Sequence, residues 1–396
     1  MKTEKKERKF TPELPKEEIL GLKKTAKLSS EKTMIENVER MKKADADRPV
    51  AMWYFDELAL FKNREKELLA EKVKGKKVIG YQCLFAPTEL VLAADAIPVR
   101  VNSGWFEASK LGELLSDYKP VWAMNIPKIK NSPNSLRFWN DEIRQMKKQL
   151  EDFTGNKITR KSLRDAIEQT QRATRVFRRL QDLRKGDPII MGRDAMLVNQ
   201  AYTWDDKKRW TEKTETLCKQ LEERVQRKAW VCPPETPRVM LTGTPMFWPD
   251  NWKLPSIVEE ANPRGIIVAD ELCSGERILN DPVGVDEWSM DDMLKAIGDR
   301  YLMASTCPCL TSKDGNEDRV NWILNKIKEW RVQGVIYCVV RGCMPYAMEY
   351  SRIKKALDKI NIPVYYLDTD YTREDAGQLK TRIEAFLEML TARLEI

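Results

Sequence analysis

The chain has 396 residues, 33% charged and 42% hydrophobic, with a formal net charge of +8, which suits a folded protein of two or three domains with cores of their own. Basic and acidic residues are interleaved rather than clustered, which makes no case for nucleic acid, and the apolar runs fall far short of the ~20 residues of a membrane span. There is no histidine, so imidazole general bases, Ser-His-Asp triads, His-ligated zinc and Rieske centres are excluded.

The opening Met-Lys-Thr-Glu-Lys-Lys-Glu-Arg-Lys lacks the apolar core of a signal peptide, so a cytoplasmic location is expected. Disulfides rarely persist there, so the eight cysteines must serve thiolate–metal chemistry or simple burial. Residues 1–75 read as an N-terminal helical segment, with Met34, Val38 and Met41 on one face and Met52, Phe55, Leu58 and Phe61 following. A first α/β domain then spans 76–134. Lys77–Cys83 reads as a strand ending on a cysteine, and Pro87–Ala94 as a helix with Pro in its first turn and Glu89 near its positive end. Ile97–Val101 and Lys119–Asn125 read as two further strands. Residues 135–232 form a charged helical insertion of about three helices, interrupted at Gly155-Asn156 and near Gly186-Asp187-Pro188. Its run Arg172, Arg175, Arg178, Arg179, Arg184, Lys185 offers a docking face for an acidic partner, although a solvated helix face is the plainer reading.

A second α/β domain, 233–396, organises the rest. Arg238–Gly243, Gly265–Cys273, Val335–Cys343 and Val364–Asp370 are β-branched, nearly continuous apolar runs bounded by Gly, Pro or Asp, as strands buried on both faces require. Helical periods alternate with them. One carries Val320, Ile323, Leu324, Ile327 and Trp330, another Ile353, Ala356, Leu357 and Ile360, and a third Leu379, Ile383, Phe386, Leu387 and Leu390. The fold class is therefore α/β, with parallel strands under crossover helices. Ligands of such sheets bind beyond the carboxyl ends of the strands. Thr242-Gly243-Thr244, Cys273-Ser274-Gly275, Gly342-Cys343 and Asp368-Thr369-Asp370 should share that rim.

An ordered set of segments resembles the 2-hydroxyacyl-CoA dehydratase D-component family, which includes benzoyl-CoA reductase subunits and double-cubane cluster proteins. The segments are Gly80-Tyr81-Gln82-Cys83 with Pro87 and Glu89, Glu271-Leu272-Cys273-Ser274-Gly275-Glu276-Arg277, Cys307-Pro308-Cys309, Gly334–Tyr337 leading to Gly342-Cys343, and Asp368-Thr369-Asp370 followed by Gly377–Phe386. The resemblance implies two Rossmann-like parallel-sheet domains and an iron–sulfur cluster, [4Fe-4S] or a linked double cubane, held between them on thiolates. It also implies an ATP-hydrolysing iron–sulfur activator as partner, and a homodimer. The family pattern has two more cysteines before Lys119-Pro120-Val121-Trp122. Residues 101–120 contain neither, so the first domain is shortened and is expected to contribute Cys83 alone.

Soft thiolates select iron–sulfur clusters or zinc, and the spacing here is not that of paired zinc knuckles. Taken singly, each cysteine reads equally well as a small buried hydrophobe. With the resemblance, Cys83, Cys273, Cys309 and Cys343 become the expected ligands, with Cys307 beside them. Cys338 lies five residues before Cys343, on the opposite face of its strand, which favours a core role. Cys218 and Cys232 read as bystanders. Glu271 is the candidate proton donor, because desolvation at a buried strand end would raise its pKa. Arg277 and Arg341 are candidate countercharges. There is no Gly-x-x-x-x-Gly-Lys-Ser/Thr loop, so hydrolysis of ATP is left to a partner. The expected function is an ATP-activated, low-potential reductase of small molecules of the double-cubane type. The alternatives are a 2-hydroxyacyl-CoA dehydratase or benzoyl-CoA reductase-like subunit, and a cluster-free partner subunit.

Overall fold

The computed structural model describes residues 16–101, 121–312 and 316–394. Three helices come first: α1 (Lys16–Ala44), α2 (Met52–Ala59) and α3 (Lys62–Val73). A small unit follows, made of β1 (Val78–Tyr81), α4 (Thr88–Ala93) and β2 (Ile97–Arg100). Four helices come next, α5 (Pro133–Thr154), α6 (Arg160–Arg184), α7 (Gly192–Ala201) and α8 (Lys207–Arg227). The remainder alternates: β3 (Arg238–Gly243), α9 (Lys253–Glu260), β4 (Ile266–Glu271), α10 (Met290–Leu302), α11 (Glu317–Glu329), β5 (Gly334–Val340), α12 (Met344–Lys359), β6 (Val364–Thr369) and α13 (Ala376–Leu394). Among the described residues no helix is long and apolar enough to cross a membrane.

Both sheets are parallel, as the alternation requires. β1 pairs with β2, and the larger sheet has the order β4-β3-β5-β6. Every residue of β3, β4 and β5 is buried. Period two divides them between two cores. Val239, Leu241, Ile267, Ile336 and Cys338 face Leu379, Ile383, Leu387 and Leu390 of α13, while Met240, Ile266, Val335, Tyr337 and Val339 face Val320, Ile323 and Ile327 of α11 and Ile353 and Leu357 of α12.

Residues 121–125 depart from the strand expected over Lys119–Asn125. They carry no regular structure, and positions 119 and 120 lie outside the described residues. The segment packs on α5 instead of a sheet: the Asn125 amide donates to Glu142 Oε2 at 2.9 Å, and Trp122 meets Phe153 edge-on at 5.4 Å. The helical stretch also holds four helices rather than about three. Two breaks fall where glycine and proline put them, with Gly155 capping α5 at φ 76°. The third, over residues 202–206, ends on Asp206, which caps α8 by accepting from Arg209 N. The short α7 is buried along its whole length. Glu259 accepts from Gly192 N and Arg193 N at its first turn (2.7 and 3.2 Å) and from Ile267 N of β4 (3.2 Å), which ties the helix to the sheet. A Cβ on Gly192 would lie 2.1 Å from Ile267 O, so only glycine permits this approach.

The chain steps from β3 to β4 in one direction and from β5 to β6 in the other, so the direction reverses between β3 and β5, where such sheets open their ligand crevice. The two strands approach closely there. Gly243 has φ 115°, and a Cβ on it would sit 1.9 Å from Cys338 O.

Candidate functional site

Cys83 follows β1, Cys273 follows β4, and Cys343 follows β5 at the entry to α12, while Cys307 and Cys309 lie in the loop after α10. One pocket is lined by Cys83, Cys273 and Cys307 together with Arg277, Tyr301 and Trp322. Cys309 is hydrogen-bonded to Cys307 and lies within the electrostatic reach of Cys343 and Cys83. Five thiols from four loops thus share one rim. Cys83 and Cys309 are exposed and the other three half-buried. Cys338, Cys218 and Cys232 do not join them. All three are buried, Cys338 inside the α13-side core.

The rim thiols differ in charge preference. The hydrogen bond from Cys309 lowers the Cys307 pKa to about 6 against the cost of burial, with the Arg277 charge adding to it, while donation to that thiolate raises Cys309. Burial pushes Cys273 up to about 11, against the charges of Arg100 and Arg277. Beneath them lies a buried charge network. Glu271 accepts from Thr242 Oγ1 (2.8 Å), Thr306 Oγ1 (3.0 Å) and Arg319 Nη2 (2.9 Å), and Arg277 stands 3.4 Å away, donating also to Tyr346 OH at 3.3 Å. Here the expectation for Glu271 reverses. Burial alone would raise its pKa, but the charges of Arg319 and Arg277 and the hydrogen bonds from Arg319 and Thr242 outweigh it and leave it lowered. Glu271 is therefore an ionised partner that holds two arginines, not a poised acid.

Other rim groups are used internally. Ser274 Oγ accepts from Met246 N at 2.9 Å, joining the loops after β3 and β4. The Thr244 amide donates to Cys338 O at 2.8 Å. Asp270 Oδ1 accepts from Leu272 N (3.1 Å) and Glu276 N (2.9 Å), shaping the turn that carries Cys273. Arg341 is exposed and pairs with Asp368 at 3.2 Å and Asp370 at 3.1 Å, so it belongs to the surface. Glu89 accepts from Tyr301 OH at 2.8 Å, which pins α4 to α10 beside the pocket. Much of the basic run on α6 is also committed within the chain. Arg172 pairs with Glu215 (3.2 Å), Arg179 with Glu222 (2.6 Å) and buried Arg184 with Glu276 (3.2 Å), while Arg178 donates to Asn280 O (3.0 Å).

Two site arginines escaped the sequence reading. Arg319 comes from an ordinary charged helix and enters the site only through the packing of α11 on the sheet. Arg100 left a faint signal, a cation closing an apolar strand, and its Nη1 donates to Cys273 O at 2.7 Å.

The donor set suits an iron–sulfur cluster. Among the described residues no three Cys, Asp or Glu side chains group tightly enough to hold a single ion. Three of the five thiols, Cys83, Cys273 and Cys307, instead border one cavity, and the charges of Arg100 and Arg277 act on the Cys273 thiol there.

A sequence model of the 2-hydroxyglutaryl-CoA dehydratase D-component family matches residues 106–390. YjiM of Escherichia coli (strain K12), which carries the provisional name of a dehydratase subunit, is 28% identical over 368 residues, covering 81% of this chain and 93% of the relative. The (R)-phenyllactyl-CoA dehydratase beta subunit of Clostridium sporogenes is 26% identical over 362 residues, covering 80% and 92%. The (R)-2-hydroxyglutaryl-CoA dehydratase subunit beta of Acidaminococcus fermentans is 25% identical over 376 residues, covering 82% and 96%. The matched stretch contains the loops of Cys273, Cys307, Cys309 and Cys343, with Cys83 lying before it, and the chain belongs to the 2-hydroxyglutaryl-CoA dehydratase D-component family.

Proposed function

We propose that this chain is the iron–sulfur subunit of a dehydratase acting on 2-hydroxyacyl-CoA thioesters, with Cys83, Cys273, Cys309 and Cys343 as the primary thiolates and Cys307 beside them. The convergence of five thiols on one rim carries the reading. The names of the two relatives that specify a substrate support the thioester class, and the naming of both as beta subunits supports work within an assembly.

A cluster bound here supplies single-electron transfer at low potential. The chain's own groups do the rest. Arg277 and Arg100 hold positive charge against the thiolates, Glu271 keeps Arg277 and Arg319 in place, and Phe85, Tyr301 and Trp322 line the pocket with ring surface that limits water. A low-potential centre needs a strong donor, and the sequence has no phosphate-binding loop. The energy source is therefore a separate ATP-hydrolysing iron–sulfur activator.

A second reading, the double-cubane reductase, draws on the thiol count. Cys338 lies in the core, yet the five rim thiols still exceed the four of one cubane. Substrate tests separate the two. With activator and ATP, the purified protein should remove water from a 2-hydroxyacyl-CoA, while dithionite alone should give slow turnover or none. Reduction of small unsaturated molecules without dehydration would favour the reductase, and full activity without a partner would sink both.

A further inference from the structure

Arg100 closes β2 and is 4% exposed. In the parallel register it stands opposite Tyr81, two residues from Cys83. Its guanidinium donates through Nε to Gln82 O at 3.1 Å and through Nη1 to Cys273 O at 2.7 Å. Nη2 lies 4.0 Å from Cys273 Sγ. The ring of Phe247 covers the group at 5.2 Å. One planar cation thus grips the chain just before Cys83, in the two-stranded sheet, and Cys273 itself, beyond the four-stranded sheet.

The charge of Arg100 is as informative as its bonds. Several other buried arginines have carboxylates: Arg319 has Glu271, Arg184 has Glu276 and Arg224 has Asp45, whereas buried Arg238, like Arg100, is held by carbonyl oxygens. Among the described residues no carboxylate forms an ion pair with Arg100, and its bonded partners are carbonyl oxygens and a sulfur. A buried cation without a counter-ion is costly unless an anion completes the site. Its Nη2 faces the Cys273 thiol, which lies within electrostatic reach of Cys83.

We propose that Arg100 is a positioning residue that sets the spacing of the Cys83 and Cys273 loops and reserves its charge for an anionic thiolate-bound cluster between them, an inference that rests on the iron–sulfur reading above. Only a forked guanidinium reaches both carbonyls at once; a lysine keeps the charge but offers a single point donor. The two roles therefore separate by substitution.

The test compares full-length wild-type protein with Arg100→Lys and Arg100→Gln. Hydrogen exchange is read on loops 82–86 and 272–276 of the metal-free chain, with α6 and α8 as the internal folding control. Iron, acid-labile sulfide and midpoint potential are read after anaerobic reconstitution. Both variants should exchange the two loops about tenfold faster, the effect of losing one good hydrogen bond, while α6 and α8 stay protected. Arg100→Gln alone should also lower the midpoint potential, because a reduced, more negative cluster loses a neighbouring cation. Wild-type exchange in both variants would overturn the bridging role, and an unchanged potential in Arg100→Gln would overturn the charge role. If the wild-type protein takes up no iron and sulfide, the iron–sulfur reading and the charge role fail together, and the exchange data still decide the bridge.

Discussion

The two sheets hold their cysteines with very different firmness. In the four-stranded sheet β3, β4 and β5 are buried at every position between two helical layers, and the Cys273 turn is clamped by Asp270 and Ser274 over the Glu271–Arg319–Arg277 network. The two-stranded sheet is thinner. No residue of β1 is fully buried, α4 packs one side against α5, α6 and α10, and the Cys83 loop turns on the Ala86 N to Cys83 O bond (3.3 Å) with Arg100 gripping Gln82 O. One half of the rim is pre-set by its own fold, and the other takes its geometry from a neighbour. A site divided in this way can place several ligands rigidly while leaving an edge open to solvent and to a partner.

The largest expected effect lies in the rigid half. Arg319→Met should cost about 3–5 kcal/mol, because it leaves Glu271 buried with one arginine fewer, and urea denaturation of the metal-free protein measures it. A loss below about 1 kcal/mol would mean that the network does not support the rim. Next comes a matched pair. Ile336→Ala in β5 should cost about 2–5 kcal/mol, whereas Ile79→Ala in half-buried β1 should cost about 1 kcal/mol; equal values would erase the contrast between the sheets.

The pH response should also come from the larger unit. Burial raises the Glu259 pKa to about 7 against the charge of Arg193 and three backbone hydrogen bonds, from a usual value of 4.5. The folded state therefore binds the proton more tightly than the unfolded one. The stabilisation is full below about pH 4.5 and is lost as pH rises to about 7, on the order of a few kcal/mol at most. Glu259→Gln should flatten that slope, and an unchanged slope would remove Glu259 as its source. Smallest is the exposed Lys76–Asp95 pair at 2.9 Å beside β2. Lys76→Ala should shift stability by less than about 0.5 kcal/mol, and a larger loss would show the thin sheet to be more tightly built than its exposure suggests.

Much of this was legible in the sequence wherever a residue's role follows from its local period. The four strands of the larger sheet, the inward turn of Cys338 and the arrival of Cys83, Cys273 and Cys343 at strand ends all follow from alternation and from where Gly and Asp stop a strand. What escaped depends on the third dimension. Residues 121–125 look like a strand because they are apolar, yet Glu142 takes up the Asn125 amide and they pack on α5. Glu271 looks like a poised acid because it is buried, yet Arg319 arrives from a helix 48 residues away in the chain. Arg179 looks free for a partner until α8 brings Glu222 against it.

Iron and acid-labile sulfide measured per chain on anaerobically purified protein test the thiolate rim most directly, in the wild type and in Cys273→Ala, Cys343→Ala and Cys338→Ala. The wild type should be brown and carry both elements, Cys273→Ala and Cys343→Ala should lose most of each, and Cys338→Ala, truncated in the core, should keep them. Colourless wild-type protein, or equal iron in all three variants, would contradict the account.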